Sequence, residues 1–575
     1  MNILKLIINM NTIKKYITMA LLPLLLAGCN KYFDINTDPN NPSTMSANKM
    51  LPYAQISAAY SVAVGSRSTS AENYTGIGDL LSVYVHQMTV REDPDKYGAT
   101  GGDWVIQTSW TNAYTDALVN LEDIIKQGTD EGNTQYVGIA EILKVYLYSV
   151  LVDAYAQVPY SEAIDNFYPH FDEGADIYKS LFSLLDEAIA NLNDTKAANG
   201  QKPGADDIIY GGDMKKWTKA ANSLKLKMLN QVRLVQNVGT DVQSLLKQDL
   251  ISSFDESLML KFNSTQTPDN RNPAYADTYE AAQKTKYMSP WFYEILMGYN
   301  PNIFNGNKDP RLPYYFYNQV KPTESISNPA EYRDGGFISI YFGSDGPDRD
   351  HSQDAAMTVV GIYPAGGLYD NGAATKVTGK SSTGAAPFRM ITYADVLFIK
   401  AELMQAGVIT GDAQSTLKSA IQEAFSQVDQ VVTMVNNGQT VPKVATAAAT
   451  TTYIDNVMKE FNSANSSKKM EIIITQKWIS EFGNGFESYN DYRRTGYPIL
   501  FDPNNSKMAP NGYATPHSEN GGDPDRDSGV SPAVKVSCSR GYPMSLPWPS
   551  SEIESNVNAP AQKNNLPEYK VFWNK

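Results

Sequence analysis

Three oxygen-bearing side chains near the N-terminus have the spacing of calcium ligands. Asp34, Asn36 and Asp38 alternate along the chain as the first ligands of an EF-hand loop do. That loop also needs glycine at its sixth position and glutamate at its twelfth, and these positions hold Pro39 and Met45. Because the stretch is rich in Asn, Asp, Pro and Ser, its composition is typical of a polar linker.

Other residues that could hold a metal or act as a base are scattered. Asp523, Asp525 and Asp527 form the densest acidic group and are the better place for a structural calcium, although a solvated acidic turn is the simpler interpretation. No two histidines have the spacing of a zinc site. They are His86, His170, His351 and His517. We therefore predict no catalytic residue, no metal and no other cofactor.

The charge and cysteine content narrow the classes of function. Without residues 1–28, which hold three lysines and no acid, 45 basic side chains face 62 acidic ones, a net charge of −17. Such a chain repels nucleic acid and anionic lipid surfaces. After Cys29, a single cysteine remains, Cys538, so an intramolecular disulfide is not available.

The N-terminus has the order of a secretory signal. Three lysines supply a basic region, residues 17–26 are a short apolar run, and the sequence Leu-Ala-Gly-Cys ends at Cys29. This tetrapeptide resembles the lipobox of bacterial lipoproteins. The resemblance implies that residues 1–28 are a signal peptide, that Cys29 carries acyl chains such as palmitate, and that residues 29–44 are a lipidated tether.

Helical periodicity dominates much of the remaining chain. Residues 137–155 are apolar on nearly every face, which predicts a helix buried on all sides. A second helix, at 177–192, has one apolar stripe. We predict that this stripe consists of Ile177, Leu181, Leu184, Ala188 and Leu192.

The predicted helices fall into four antiparallel pairs. The pairs are 103–127 with 133–157, 174–193 with 213–236, 389–406 with 412–428, and 452–462 with 470–482. They resemble tetratricopeptide units, in which stacked hairpins bury a continuous core. The fold class is therefore predicted to be mainly α.

Two regions interrupt the helical pattern. Residues 255–388 and 495–575 are rich in Gly, Pro, Asn and Asp, yet remain dense in aromatic residues. Long irregular segments of this kind are usually functional, so we expect them to form the ligand-facing side. We predict a single domain over residues 45–575, with its helical scaffold at about 46–250 and 389–495.

Several motifs, in order along the chain, resemble those of the SusD/RagB family in its SusD-like branch. They include LVDAYAQVPYSEA from Leu151, WTKAANSLKLK from Trp217, KDPR from Lys308, TYADVLFIKAE from Thr392, ITQKW from Ile474, ESYNDYRRTGYP from Glu487 and PMSLPWPSS from Pro543. One position departs from the pattern: the family usually has glycine before its Val-Pro dipeptide, whereas this chain has Ala156 and Gln157. The local turn is therefore in question.

The resemblance implies a SusD-like fold and a nutrient-binding lipoprotein of the outer membrane that faces the cell exterior. Such a protein captures an oligosaccharide, acts as a lid on a SusC-like TonB-dependent β-barrel transporter, and performs no covalent chemistry. Composition agrees, because 36 tyrosines and seven tryptophans offer flat apolar faces with a polar edge, which suit sugar rings.

Four residues are candidates for ligand contact. Trp104 stands where a loop meets a helix, and Tyr287 and Trp291 flank a Ser-Pro in the irregular middle. Arg91, in the polar run REDPDKY, has the hydrogen-bond donors to hold hydroxyls or a carboxylate. Core packing is the competing role for each aromatic residue.

Three other functions remain open at this point. A RagB-like relative would bind peptides, and a structural adaptor would leave its aromatic loops without a ligand. A surface glycoside hydrolase would need two carboxylates facing one another across a cleft. The chain has many acidic residues, but their order in the sequence does not place any two of them together.

Overall fold

The computed structural model describes residues 45–68, 73–281, 283–351 and 354–575. Its α-helices are α1 Ala47–Tyr60, α2 Gly78–Tyr84, α3 Trp104–Thr111, α4 Val119–Glu131, α5 Thr134–Tyr155, α6 Gly174–Leu192, α7 Met214–Val232, α8 Gly239–Leu245, α9 Pro273–Tyr275, α10 Pro290–Met297, α11 Leu312–Tyr315, α12 Ile362–Ala365, α13 Tyr393–Gln405, α14 Ala413–Val435, α15 Ala448–Ser463, α16 Ser466–Ser480, α17 Gly485–Thr495 and α18 Ser550–Ser555. Short π-helical turns span Asn112–Leu118 and Ala276–Glu280, and 3-10 turns span Asp93–Lys96, Phe254–Glu256 and Pro510–Gly512.

The β-strands are short and pair two at a time. They are β1 Ser66–Ser68, β2 Asn73–Thr75, β3 Met88–Val90, β4 Gln157–Pro159, β5 Phe171–Glu173, β6 Leu258–Leu260, β7 Lys286–Met288, β8 Phe316–Tyr317, β9 Tyr332–Asp334, β10 Phe337–Ser339, β11 Val359–Val360, β12 Phe388–Ile391, β13 Tyr513–Ala514 and β14 Val534–Lys535. In the described residues each forms an antiparallel pair with one other strand. The strands therefore fasten loops to one another and do not build a layer of their own.

The four predicted helix pairs are confirmed. They correspond to α4 with α5, α6 with α7, α13 with α14, and α15 with α16, and the partners in each pair pack against one another. α6 also packs on α5, which joins the first two hairpins into one stack. The chain is mainly α, as the periodicity predicted.

The buried faces of α5 and α6 follow from their sequences. α5 is buried along almost its whole length, from Tyr136 to Tyr155, because it lies between α4 and α6. On α6 the buried stripe contains Leu185, whereas the predicted Leu184 is partly exposed. With 3.6 residues per turn, the position four residues after Leu181 lies closer to the middle of the buried face than the position three residues after it.

The predicted helix boundaries were wrong at two places. The stretch predicted as one helix at 103–127 is divided into α3, a π-helical turn and α4. The start of the helix predicted at 389–406 is the strand β12, and α13 begins after it with a capping box of Thr392 and Asp395. In both cases the apolar positions continue through the boundary, so periodicity alone did not reveal it.

The turn after α5 shows how the chain accommodates alanine where the family usually has glycine. Ala156 takes a φ of 69° and its N–H donates to the carbonyl of Val152, 2.8 Å away. Positive φ is costly for a residue with a Cβ atom. The turn therefore forms in this chain with an unfavourable backbone conformation at Ala156.

A buried ion cluster joins the second and third hairpins to α17. The Arg494 guanidinium donates to both carboxylate oxygens of Glu402, at 2.8 and 2.9 Å, and Arg233 reaches the same carboxylate at 2.8 Å. Lys477 pairs with Asp491 at 2.7 Å. Although burial opposes ionisation of Glu402, the two arginines hold its pKa well below the ordinary value. Lys477, Asp491 and Arg494, which belong to the motifs that carry the resemblance, therefore have a structural role.

The region near the C-terminus packs on the first hairpin. The indole of Trp573 donates to the Asp153 carboxylate at 2.7 Å, across 420 positions of sequence. Leu546 donates its N–H to the carbonyl of Ala154, also at 2.7 Å. The Asp153 carboxylate further accepts hydrogen bonds from Tyr178 and Asn490. Segments distant in sequence thus complete the environment of the end of α5.

Some predictions fall outside the described residues. The signal peptide 1–28, the lipidated Cys29 and the tether to residue 44 belong to this group. Within the described ranges, no helix combines the length and apolar character needed to cross a bilayer.

Candidate functional site: the Trp291 cleft

Helix α10 presents an aromatic ring and a carboxyl group on one side. Its first residue is Pro290, which suits this position because the N–H there has no intrahelical partner. Gly298, with a φ of 75°, ends the helix. Since Trp291 and Glu294 are three residues apart, they lie on the same face, and both remain partly accessible.

Around this face lies a concavity with two lobes, here named the Trp291 cleft. The lobes share Trp291, Asn300, Asn302 and Met508. One lobe has a volume of 290 Å³ and is further lined by Glu294, Tyr341, Phe342, Phe501, Lys507 and His517. The other has a volume of 360 Å³ and is further lined by Ile295, Ile303, Lys468, Glu471, Thr475 and Ile499.

Aromatic rings from three parts of the chain wall the first lobe. The Phe501 ring lies 6.0 Å from the ring of Trp291 and 6.0 Å from that of Tyr341, measured between centroids. At the edge, the His517 ring stacks on Tyr299 with centroids 4.8 Å apart. The lobe therefore offers apolar ring faces, of the kind that pack against the flat sides of sugars.

The carboxyl group of Glu294 lies among these rings, beside the phenols of Tyr332 and Tyr341. The Tyr332 phenol lies within hydrogen-bonding reach of this carboxyl group, whereas the buried phenol oxygen of Tyr341 has no hydrogen-bond partner among the described residues. Burial raises the pKa of Glu294, the Tyr332 phenol lowers it and the nearby carboxylate of Asp334 raises it, which together bring it to about 8. Near neutral pH, Glu294 is thus able to donate as well as accept a hydrogen bond.

The second lobe differs because its charges are paired. Lys468 lies 2.9 Å from Glu471 and 3.9 Å from Glu460. The indole N–H of Trp291 donates to the carbonyl of Ile499 at 2.9 Å, which fixes the ring between the two lobes. The hydrogen bond at the edge of the indole therefore fixes the orientation of the Trp291 ring. The ring lies between a lobe with paired charges and a lobe with aromatic walls.

The four residues predicted to contact ligand do not converge on one site. Trp291 lies in the cleft. Tyr287, opposite Thr89 in the β3–β7 pair, is fully buried, and burial raises its pKa to about 12. Contact between Tyr287 and a ligand would require this strand pair to move. Arg91 follows β3 and donates at 3.4 Å to the carbonyl of Asp350, while its buried Nε has no partner.

Trp104 lies at the start of α3 and is 51% exposed. Its indole N–H donates to the hydroxyl of Thr75 at 3.0 Å, so one edge is held while much of the ring faces solvent. It does not line the Trp291 cleft. Trp104 therefore offers a second, separate aromatic surface for a ligand.

Sequence reasoning missed Glu294, Tyr341, Phe501 and His517. Glu294 carried a usable signal, because it follows Trp291 by three residues in a helical pattern. The other three come from segments 341–342 and 499–517, whose approach to α10 depends on tertiary packing. No local pattern reports that approach.

The acidic group considered for calcium is engaged by arginine. Asp525 accepts from Arg333 at 2.7 Å, and Asp523 lies 3.6 Å from Arg526. Within the described parts of the chain, no three His, Cys, Asp or Glu side chains are grouped to hold a metal ion. Asp523 and Asp525 thus fasten the C-terminal loop to the strand β9.

The chain is a mainly α protein whose stacked helical hairpins carry irregular, aromatic-rich loops. It belongs to the SusD-like family described as "Starch-binding associating with outer membrane", whose pattern matches residues 39–518. Among curated proteins, none matches this sequence.

Solved structures show the same fold. A SusD/RagB family protein from Bacteroides thetaiotaomicron has a TM-score of 0.64 and 20% identity, covering 92% of this chain and 99% of its own. A SusD homologue from Bacteroides fragilis has a TM-score of 0.63 and 17% identity, covering 92% and 100%. A protein named as chitin-binding has a TM-score of 0.63 and 21% identity, with the same coverage as the B. fragilis structure.

Proposed function

We propose that this chain is a lipid-anchored outer-membrane protein that captures an oligosaccharide in the Trp291 cleft. The observation that carries the proposal is the cleft itself, in which Trp291, Tyr341 and Phe501 offer ring faces beside polar groups. Membership of a family described as starch-binding and associated with the outer membrane supports a glycan ligand.

The test is a calorimetric titration of the full chain in detergent with a panel of neutral oligosaccharides and mixed peptides. We expect an oligosaccharide to bind, and the Trp291→Ala variant to lose about tenfold in affinity, since a stacked ring contributes about 1.4 kcal/mol. Trp104→Ala is the matched control. If Trp104→Ala weakens binding while Trp291→Ala does not, the ligand surface is at α3. Binding of peptides alone overturns the glycan assignment.

In this proposal the protein binds its ligand without cleaving it. Among the described residues of the cleft, Glu294 lines the first lobe and Glu471, paired with Lys468, lines the second, whereas hydrolysis of a glycosidic bond requires two carboxyl groups that face one another. Prolonged incubation with a bound oligosaccharide should leave its chain length unchanged, as measured by mass spectrometry. Shortened products that persist in a repurified sample would establish a hydrolase.

We further propose that the protein passes its ligand to a SusC-like TonB-dependent barrel as a lid, facing the cell exterior. Acylation of Cys29 would hold it at the membrane by several chains, which anchor stably where one does not. Isolation from native outer membrane should recover a large β-barrel with the wild-type chain. Cys29→Ser should appear in the soluble fraction. Reproducible absence of the barrel would overturn the pairing.

A further inference from the structure

The carboxyl group of Glu294 has no cationic partner among the described residues. The Tyr332 phenol acts on it as a hydrogen-bond partner and the Asp334 carboxylate as a like charge, and neither brings positive charge. Its oxygens accept no hydrogen bond from the described backbone, yet the side chain lines the first lobe. A carboxyl group in this position is accessible to a ligand and lacks a counter-ion.

Asp334 does not relieve this lack, because its own oxygens are occupied. One oxygen accepts from the phenols of Tyr293 and Tyr299, at 2.8 and 3.0 Å, and the other accepts from the N–H of Asn520 at 2.6 Å. Asp334 therefore adds negative potential behind Glu294. The field at the base of the lobe favours a positive group.

The walls of the lobe favour the same charge. Rings of Trp291, Tyr341 and Phe501 surround the space in front of Glu294, and aromatic faces attract cations within about 6 Å. The Tyr341 phenol, which lines the lobe, has a buried oxygen without a hydrogen-bond partner among the described residues. Together these groups resemble the aromatic cages that hold ammonium ions, with a carboxylate added.

We propose that the first lobe of the Trp291 cleft recognises an oligosaccharide with a free primary amine, whose ammonium pairs with Glu294 between the rings of Trp291, Tyr341 and Phe501. The inference rests on the proposed glycan-binding function and specifies the class of glycan. The exposed amide of Asn302, shared by both lobes, offers hydrogen bonds to neighbouring sugar hydroxyls.

Two other titratable groups face the lobe from the C-terminal segment. Lys507 is exposed at the rim, and His517 lies 3.7 Å from the carboxylate of Glu519. A lysine at the rim opposes a cationic ligand weakly, because solvent screens exposed charges. Lys507→Gln should therefore strengthen binding of the amine slightly, by about twofold.

Binding of an ammonium should be linked to proton release. With its pKa at about 8, Glu294 is mostly protonated in the free protein at neutral pH. The ionised form of Glu294 pairs with the ammonium. Below the pKa of Glu294, the ionised fraction of its carboxyl group rises about tenfold with each pH unit. Between about pH 5 and 6, where the sugar amine is still fully protonated, affinity for the amine should rise by up to this factor, while affinity for a neutral sugar should stay constant.

The experiment compares two probes of equal length, an oligomer of glucosamine and an oligomer of N-acetylglucosamine, by calorimetry on the full chain in detergent. At about pH 7 the wild-type protein should prefer the glucosamine oligomer by about tenfold or more, the range of charge-assisted bonds. The isosteric variant Glu294→Gln should lose that preference, so that the ratio of the two affinities falls towards one. Circular dichroism establishes that the variant is folded.

Glu423→Gln is the matched control, since Glu423 is another partly buried glutamate with a raised pKa, on α14 and outside the cleft. It should keep the wild-type preference. Equal affinity for the two oligomers overturns the amine assignment and leaves the proposed function in place. A preference for the glucosamine oligomer that survives Glu294→Gln has the same two consequences. Tighter binding of a lysine-rich peptide than of the glucosamine oligomer also overturns it. A protein that binds no oligosaccharide at all overturns both proposals.

Discussion

The buried ion cluster at α17 and the Trp291 cleft treat carboxylates in opposite ways. In the cluster, Glu402 is shared by Arg494 and Arg233, and its pKa falls despite burial. In the cleft, Glu294 has no described cation beside it, and its pKa rises to about 8. The difference separates a charge that stabilises the fold from one that a ligand can complete. The presence or absence of a cationic partner, more than the degree of burial, distinguishes the two roles.

The largest expected effect is the loss of pairing in the ion cluster. Arg494→Met should lower the free energy of unfolding by about 3–5 kcal/mol, because it removes a bidentate partner of a buried carboxylate. Chemical denaturation measures the change. Lys418→Met is the control: its pair with Asp455 is exposed, so the cost should stay within about 0.5 kcal/mol. Equal costs for the two variants would contradict a structural role for the cluster.

A smaller effect is expected from Glu294, and it depends on pH. The unfolded glutamate loses its proton near the ordinary pKa of 4.5, whereas the folded one retains it to about 8. Within this window the folded state binds more protons, so stability falls as pH rises. Glu294→Gln should remove a decline on the order of 2 kcal/mol, since water in the cleft screens part of the penalty.

Denaturation of wild type and Glu294→Gln at several pH values between about 5 and 8 checks this expectation. The difference between the two curves isolates Glu294 from other buried acids, such as Asp95, whose pKa burial also raises, to about 7. Parallel curves would mean that Glu294 is already paired or solvated in the free protein. The contrast with Glu402 would then disappear.

The smallest effect concerns the backbone at the end of α5. Ala156→Gly should raise the free energy of unfolding by about 1 kcal/mol, because glycine adopts a φ of 69° without a Cβ clash. Thermal denaturation measures it. Ala154→Gly, inside α5, should have the opposite sign at about the same magnitude. A destabilised Ala156→Gly variant would show that the Cβ atom packs to advantage there.

Much of the scaffold could be predicted from sequence because its signals are local. The repeat of apolar positions predicted α5 and α6, and the order of the motifs predicted the family. The break between β12 and α13 was missed, since both elements bury apolar residues without a change of composition. The all-round burial of α5 was predictable for the same local reason.

Fewer of the residues in the cleft could be predicted from the sequence. Trp291 was identified from its type and neighbourhood, whereas Tyr287, chosen on the same grounds, is fully buried. Residue type does not reveal which ring of an irregular segment faces solvent. Phe501 lies 210 positions from Trp291 in sequence, and their proximity is decided by how the loops cross the hairpins.

The contact between Trp573 and Asp153 has a consequence for the order in which the molecule is made. Synthesis begins at the N-terminus, so α5 with Asp153 emerges from the ribosome long before Trp573, whose indole donates to the Asp153 carboxylate. Until then, the first hairpins present an incomplete surface to whatever surrounds them. Contacts so distant in sequence slow maturation and favour the help of chaperones. A chain truncated before Trp573 should be a substrate for proteases.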